Sequence, residues 1–339
     1  MRTTIKSVAE ACGVSQTTVS LILNGKPSRI SEETRQLILD TAQKLDYRPN
    51  RLAISLATKK TNTIGLLVPD ISNLFFAALA KSIETRSHSY GFNILLGNTE
   101  DNPKLDLYYL QMFLDRSVEG ILYVHSASAN EKDIEQYRKL INTSGIPIIM
   151  IDRYIEGVNS NSISINNRHG GYMVTKHLLE QGHRRIGCIT GPHYVSSTIQ
   201  RLLGYQQALS EHNIPYDHGL ICEGDYDIET GRKFAPALLA RGVTSIFAFS
   251  DMIALGVYKE LRELNINIPG EISVVGFDDI FVADMLDVPL TTVYQPVKEM
   301  GAVGVDQLIQ IIRKESTGVR DLVFEPTLKV RSSTKKLAA

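Results

Sequence analysis

The stretch TTIKSVAEACGVSQTTVSLILNGK, residues 3–26, reads as two short helices joined by a glycine turn. Ile5, Val8, Ala9 and Cys12 recur at i, i+3, i+4 and i+7, one face of a helix, with Thr4 placed to cap its start. Gly13 supplies the tight turn. Ser15 can cap a second helix by accepting from its first free amides, and Val19, Ile22 and Leu23 form that helix's buried stripe. Its outward positions, Gln16, Thr17 and Ser20, are polar. A third helix is predicted from Ser31, with Glu32 and Glu33 at its positive N-terminal end and Ile38, Ala42 and Leu45 facing inward. Three helices in this order make a helix-turn-helix unit, whose second helix is built to enter the DNA major groove.

The charge distribution agrees. Residues 1–60 carry ten Lys and Arg against five Asp and Glu, whereas the 339-residue chain as a whole has a net charge of -1. Basic charge confined to the head suits a DNA-binding module on a body that does not itself seek phosphates. The length calls for a small head plus one large or two medium domains. Cys12, Cys188 and Cys222 are odd in number and widely spaced, which points to reduced thiols and away from a disulfide framework or a zinc site. The eight histidines form no metal-like spacing, so neither a metal nor a cofactor is expected. No apolar run approaches the roughly 20 residues that span a bilayer, and no signal-peptide core opens the chain; a cytoplasmic protein without a membrane partner is expected.

From Thr63 onward short apolar runs alternate with helical stretches. The runs are TIGLLVP (63–69), FNILLG (92–97), GILYV (120–124), IPIIMI (146–151), IGCIT (186–190), SIFAFS (245–250) and ISVVGF (272–277). Continuous apolar strands between amphipathic helices indicate parallel sheets covered on both faces. Seven such units predict an α/β body of two doubly wound parallel-sheet lobes, meeting at a crevice outside the strand C-termini where ligands bind. The polar stretch NSNSISINNRH (159–169) reads as a crossover between lobes, and TTVYQP (291–296) as a second, so each lobe is discontinuous. At loop positions after strands stand Asp152, Arg153, Arg201, Asp251, Asp278 and Gln295. Carboxylates, guanidinium forks and nearby aromatic rings are what a neutral sugar requires, because its hydroxyls both donate and accept and its C–H faces are weakly apolar.

Over essentially its whole length the chain resembles the lactose and galactose repressor family of bacterial transcription regulators. The matching segments are TIKSVAEACGVSQTTVS, RISEETRQLILDTAQKLDYRPN, IGLLVPDISNLFF, NNRHGGYMVTKHLLEQGHRRIG, SDMIALG, SVVGFDD and PLTTVYQP. The resemblance implies a core similar to periplasmic sugar-binding proteins, and a homodimer that binds a near-palindromic operator under control of a small effector. It divides the chain into a DNA-binding head at 1–49, a hinge helix or linker at 50–60 and an effector-binding and dimerisation core at 61–339. The first lobe then covers about 61–163 and 293–325, the second about 164–292 and 326–339.

In the family pattern the base-contacting positions fall on Gln16, Thr17 and Leu21. Gln16 can pair with adenine and Thr17 can offer a hydroxyl or a methyl, whereas Leu21 stands where many members carry an arginine. Leu21 either touches a thymine methyl or completes the core of the head. Thr4, Ser15, Ser20, Asn24, Tyr47 and Ala53 complete the expected DNA-binding set, and Arg29, Arg35, Arg48, Arg51, Lys59 and Lys60 are candidate phosphate contacts. Residues 51–58 are too short to hold a helix alone in water. In the family that helix pairs with its dimer mate in the minor groove, and the position of its wedging leucine is Leu56.

For the crevice the positions matching sugar-binding relatives are Asn73, Phe75, Phe76, Asp152, Arg153, Arg201, Tyr226, Ser250, Asp278 and Gln295, a set resembling a ribose-type pocket. Ser250 departs from the asparagine of ribose-binding relatives. Phe76 shares a helical face with Leu79, Ala80 and Ile83 and reads as core, leaving Phe75 as the stacking candidate; Asp251 reads as a helix cap. The motifs of the common enzymes on such folds (GxxxxGK, GxGxxG after a strand, G-x-S-x-G) are missing, so catalysis is not expected. A transport-type binding protein would lack the basic head. The expected function is a repressor of a carbohydrate-utilisation operon controlled by a small sugar, ribose being the leading candidate. The alternative is a catabolite-control regulator that responds to a phosphorylated partner protein.

Overall fold

The computed structural model describes residues 3–23, 30–47, 60–158, 160–315 and 321–337. The chain divides into two compact units, Met1–Thr61 and Asn62–Ala339.

In the first unit α1 (Ile5–Cys12) starts at a reciprocal cap, with Thr4 Oγ1 accepting from the Ser7 amide and Ser7 Oγ from the Thr4 amide. It stops at Gly13, whose left-handed φ of 65° glycine adopts without steric cost. Ser15 Oγ accepts from the Thr18 amide at 3.1 Å and opens α2 (Gln16–Leu23). Ser31 caps α3 (Glu32–Lys44) by accepting from the Thr34 amide. Val8, Ala9, Val19, Ile22, Ile38 and Ala42 form the core, bordered by Ile5, Cys12, Val14, Leu23, Ile30 and Tyr47. Leu45 differs from expectation: it is exposed, because α3 has ended by then and Leu45 serves as its C-cap.

The second unit holds two six-stranded sheets. The strands are β1 (Thr63–Val68), β2 (Asn93–Asn98), β3 (Ile121–Tyr123), β4 (Ile148–Ile151), β5 (Asn161–Ile165), β6 (Ile186–Thr190), β7 (Ile221–Glu223), β8 (Ser245–Ala248), β9 (Ser273–Asp278), β10 (Thr291–Tyr294), β11 (Asp321–Phe324) and β12 (Thr327–Lys329). The first sheet runs β11-β5-β4-β3-β1-β2 and is parallel throughout. The second runs β12-β10-β9-β8-β6-β7 and is parallel except for β12. Each has a switch point where the chain reverses direction across the sheet, between β1 and β3 and between β6 and β8. The first lobe carries α4 (Leu74–Ser89), α5 (Pro103–Asp115), α6 (Glu131–Thr143) and α11 (Val297–Ile312). The second carries α7 (Asn167–Glu180), α8 (Ser196–Glu211), α9 (Ile228–Ala240) and α10 (Asp251–Glu263).

Two expected crossovers prove shorter than their polar sequence suggests. Within 159–169 the residues Asn161–Ile165 pair as β5 against β4 and β11, so the chain leaves the first sheet only at Asn166. Likewise Thr291–Tyr294 is β10 of the second sheet, which puts Val293 and Tyr294 on the other side of the boundary drawn at 293. Serine, threonine and asparagine in these strands satisfy buried ladders through side-chain partners, as when Asn161 Nδ2 donates to Gln307 Oε1 at 3.0 Å. That escapes a reading based on apolar runs.

Close helix approach sets the second lobe. A Cβ on Gly171 of α7 would lie 2.1 Å from the Arg201 carbonyl oxygen of α8, and one on Gly204 would lie 2.0 Å from the Arg168 carbonyl. Only glycine permits backbone contact this near, and it fixes where the Arg201 side chain begins.

Candidate functional site

In the head Gln16 and Thr17 lie exposed in the first turn of α2, with Ser20 and Leu21 half-exposed along the same helix. Leu21 is not among the residues packed on the head core. Thr4 and Ser15 are helix caps, and Tyr47 packs on the core. Arg35 pairs with Glu32 at 3.5 Å. Asn24, Arg29, Arg48, Arg51, Ala53, Leu56 and Lys59 lie outside the described residues, as does most of the expected hinge.

In the body all ten residues named for the effector line one cavity, joined by Ser197. Every one of them sits at or just beyond the carboxyl end of a strand, or on the helix that follows. Asn73 caps α4, accepting from the Phe75 amide at 3.0 Å. Phe75 and Phe76 meet edge to face at 5.2 Å. Both are buried in the core and both reach the cavity, so Phe76 is not core alone; the Arg153 guanidinium stands 5.6 Å over its ring.

Arg153 donates through Nη1 to the His125 carbonyl at 2.8 Å and to Asp101 Oδ1 at 3.1 Å. Its Nε has no hydrogen-bond partner, the nearest carboxylate oxygen being Asp152 Oδ2 at 3.8 Å. Across the crevice Arg201 donates through Nε to Asn167 Oδ1 at 2.8 Å and through Nη1 to the Phe249 carbonyl, and lies 3.6 Å over the Phe277 ring. The Tyr226 and Thr198 hydroxyls share a hydrogen bond of 2.6 Å. Gln295 Nε2 donates to Asp278 Oδ1 at 2.7 Å.

Two corrections concern the start of α10. Ser250, not Asp251, is the cap, its Oγ accepting from the Ile253 amide at 3.2 Å. Asp251 turns inward, fully buried, and accepts from the Ile280 amide and from Thr292 Oγ1. It thereby holds the turn after β9. That turn keeps Asp278 at φ 127°, and Asp152 stands at φ 66°, both left-handed values that cost about 1–3 kcal/mol each unless neighbours enforce them.

Burial pushes the Asp278 carboxyl well above the usual carboxylate range, against the opposing pull of Arg201. Asp152 is raised by burial too, with Arg153 and then Arg201 pulling back. Ser197, His125, Asp101 and Asn167 were not anticipated. Ser197 could have been found as a polar residue in the first turn after the loop following β6; the others act on the arginines and become visible only once loops far apart in sequence meet. The cavity encloses about 30 Å³, room for a water or two. Its donors, acceptors and rings suit a compact polyol. Among the described residues no group of His, Cys, Asp and Glu is placed to hold a metal ion, and no helix is long and apolar enough to cross a membrane.

A helix-turn-helix head and a two-lobed parallel α/β body define a ligand-controlled DNA-binding regulator. Residues 4–50 match the model of bacterial regulatory proteins of the lacI family, and residues 175–334 that of the periplasmic binding protein-like domain. The chain is 38% identical over 338 residues to the HTH-type transcriptional regulator DegA of Bacillus subtilis, covering 99% of both chains. It is 34% identical over 336 residues to the ribose operon repressor of Haemophilus influenzae, covering 98% of this chain and 99% of that one. Among solved structures, the lac repressor dimer bound to operator and the anti-inducer ONPF superposes with a TM-score of 0.87 at 25% identity, covering 99% of this chain and 100% of that one. The protein belongs to the lacI family of bacterial regulatory proteins. It is a DNA-binding transcriptional regulator, not an enzyme.

Proposed function

We propose that this protein represses a carbohydrate-utilisation operon and that a small sugar, bound between the lobes, sets its affinity for the operator. The observation that carries this reading is the convergence of Asn73, Phe75, Phe76, Asp152, Arg153, Arg201, Tyr226, Ser250, Asp278 and Gln295 on one cavity at the carboxyl ends of both sheets. Two carboxylates, two guanidiniums, two amides and three aromatic rings around one space match the mixed polarity of a sugar. Ribose is the leading effector, in keeping with the ribose operon repressor among the relatives. Ser250 Oγ accepts from the Ile253 amide and Asn73 Oδ1 from the Phe75 amide, so each caps a helix and keeps its donor for a sugar hydroxyl.

The head, with Gln16, Thr17 and Leu21 reading bases, acts as one half of a homodimer on a near-palindromic operator. Effector changes operator affinity only by the difference in its own affinity for the DNA-competent and DNA-incompetent lobe arrangements, and the coupling is reciprocal. At about 30 Å³ the cavity admits a sugar only when Phe76 and Arg153 of the first lobe part from Arg201 and Tyr226 of the second.

A thermal-shift screen of free sugars, followed by operator binding with and without each hit, tests the proposal. A sugar that raises the melting temperature and alters operator affinity supports it. If no sugar does either and a phosphorylated partner protein does both, the catabolite-control alternative replaces it.

A further inference from the structure

The crevice does not end at the inner cavity. Past Asn73, Phe76, Arg153 and Tyr226 it widens into a vestibule of about 530 Å³. Asp70, Glu100 and Asp101 of the first lobe and Asp225 and Asp227 of the second line it, against a single cation, Arg153. Arg153 is 3% exposed, pairs with Asp101 and lines both cavity and vestibule, its Nε buried without a hydrogen-bond partner. Among the described residues none of the other four carboxylates forms an ion pair, although Lys233 pulls on Asp225 from further away. Asp70 accepts from the Ser72 amide and hydroxyl, and Asp227 from the Thr230 amide. Burial, then Asp227 and Asp101, push the Asp225 carboxyl up, as crowded negative charge does.

We propose that this vestibule selects the effector by charge, admitting an uncharged sugar and rejecting its phosphate esters, so that the regulator reports the unphosphorylated pool. The inference rests on the sugar reading above and specifies which form of the sugar is read. A cleft walled by one sign of charge focuses its field, and an anion crossing it meets like charges at short range. Sugar hydroxyls instead donate to those carboxylates. Nor does the interior offer a phosphate site. Recognition of phosphate favours an open, bidentate guanidinium fork. Here Arg153 already spends Nη1 on Asp101 and the His125 carbonyl, with Asp101 beside it, and Arg201 spends Nε and Nη1 on Asn167 and the Phe249 carbonyl.

The test is isothermal titration of the full-length protein with a paired panel of free pentoses and hexoses, beginning with ribose, and their phosphate esters. At least one free sugar should bind, and its ester should bind about 100-fold more weakly or not at all. In the Glu100→Gln, Asp225→Asn double variant the ratio of the two dissociation constants should narrow by about tenfold, and added salt should narrow it in the wild type. Should the double variant fold poorly, Asp225→Asn alone and the salt series carry the same comparison. An ester that binds as well as the free sugar overturns the inference and leaves the sugar reading standing, as does a ratio unmoved by both substitution and salt. If neither free sugars nor esters bind, the sugar reading falls, and this inference falls with it.

Discussion

Gln295 donates through Nε2 to Asp278 Oδ1 at 2.7 Å while its own Oε1 stays buried without a hydrogen-bond partner. The bond ties the turn after β9 to the crossover after β10, and it leaves one acceptor unused on a residue that lines the cavity. A buried orphan acceptor costs about 1–3 kcal/mol, which a ligand hydroxyl entering the cavity would relieve.

Gln295→Leu removes both the donor to Asp278 and that acceptor. Effector affinity should fall by about 10–100-fold, while effector-free operator affinity stays within about twofold, since the pair touches only the crevice. Titration calorimetry and operator binding on the same preparation give both numbers. Unchanged effector binding would place the ligand elsewhere.

Arg201 is as much a structural joint as a ligand contact. Arg201→Ala strands Asn167 Oδ1 and the Phe249 carbonyl in a buried setting and uncovers Phe277, so stability should drop by about 2–4 kcal/mol along with effector response. Arg201→Lys should not restore it, because an ammonium lacks the planar fork. Urea midpoints of the three proteins at equal slope make the comparison.

Gly171→Ala sets a methyl 2.1 Å from the Arg201 carbonyl oxygen, and that neighbour is backbone, which cannot swing away. The α7–α8 contact must open, at about 1–3 kcal/mol or more. The strain should also displace Arg201 and weaken effector binding. A Gly171→Ala protein as stable as the wild type would contradict the close packing.

His125 should make stability depend on pH. Burial, then the adjacent Arg153 guanidinium, lowers its pKa from 6.5 to about 4, with Asp101 pulling the other way. Between about pH 6.5 and 4 the unfolded chain binds a proton that the folded one refuses, so this contribution is present above 6.5 and is lost as pH falls toward 4. Asp251, raised to about 6 by burial, slopes oppositely, since the folded chain holds a proton there that the unfolded one releases above about 3.8. Subtracting the His125→Gln stability curve from that of the wild type isolates the histidine. The difference should rise by about 3 kcal/mol from pH 4 to 6.5, and a flat difference would mean His125 titrates normally.

Leu21→Arg tests the head. Leu21 is half-exposed and not among the residues packed on the head core, so the change should cost little stability while shifting preference toward guanine at one operator position. Selection of operator variants by both proteins reads this directly. The same preferred sequence from both would mean that residue 21 does not face the groove.

Much of this protein is legible along the chain. Helix periodicity, Thr4, Ser15 and Ser31 at helix starts, and Gly13 at the turn define the head, because caps and turns are satisfied by residues three or four positions apart. The long apolar runs reveal the central strands, since a parallel strand buried on both faces needs little besides aliphatic residues. Resemblance to the family points to ten crevice residues, and the fold gathers them around one cavity.

The tertiary structure decided what depends on distant partners. Short polar strands such as Asn161–Ile165 and Thr291–Tyr294 form because neighbouring strands supply their hydrogen bonds, which local pattern does not encode. Whether Ser250 or Asp251 caps α10 turned on Thr292 and the Ile280 amide, which draw the carboxylate inward. The acidic vestibule assembles from loops near residues 70, 100 and 225 that share no motif. Local hydrogen bonding and side-chain periodicity are properties of a few consecutive residues and can be read in order. Burial, orphaned polar atoms and electrostatic crowding are properties of a folded neighbourhood, and they exist only after chain closure brings residues such as Arg86 and Asp306, 220 positions apart, within 2.7 Å.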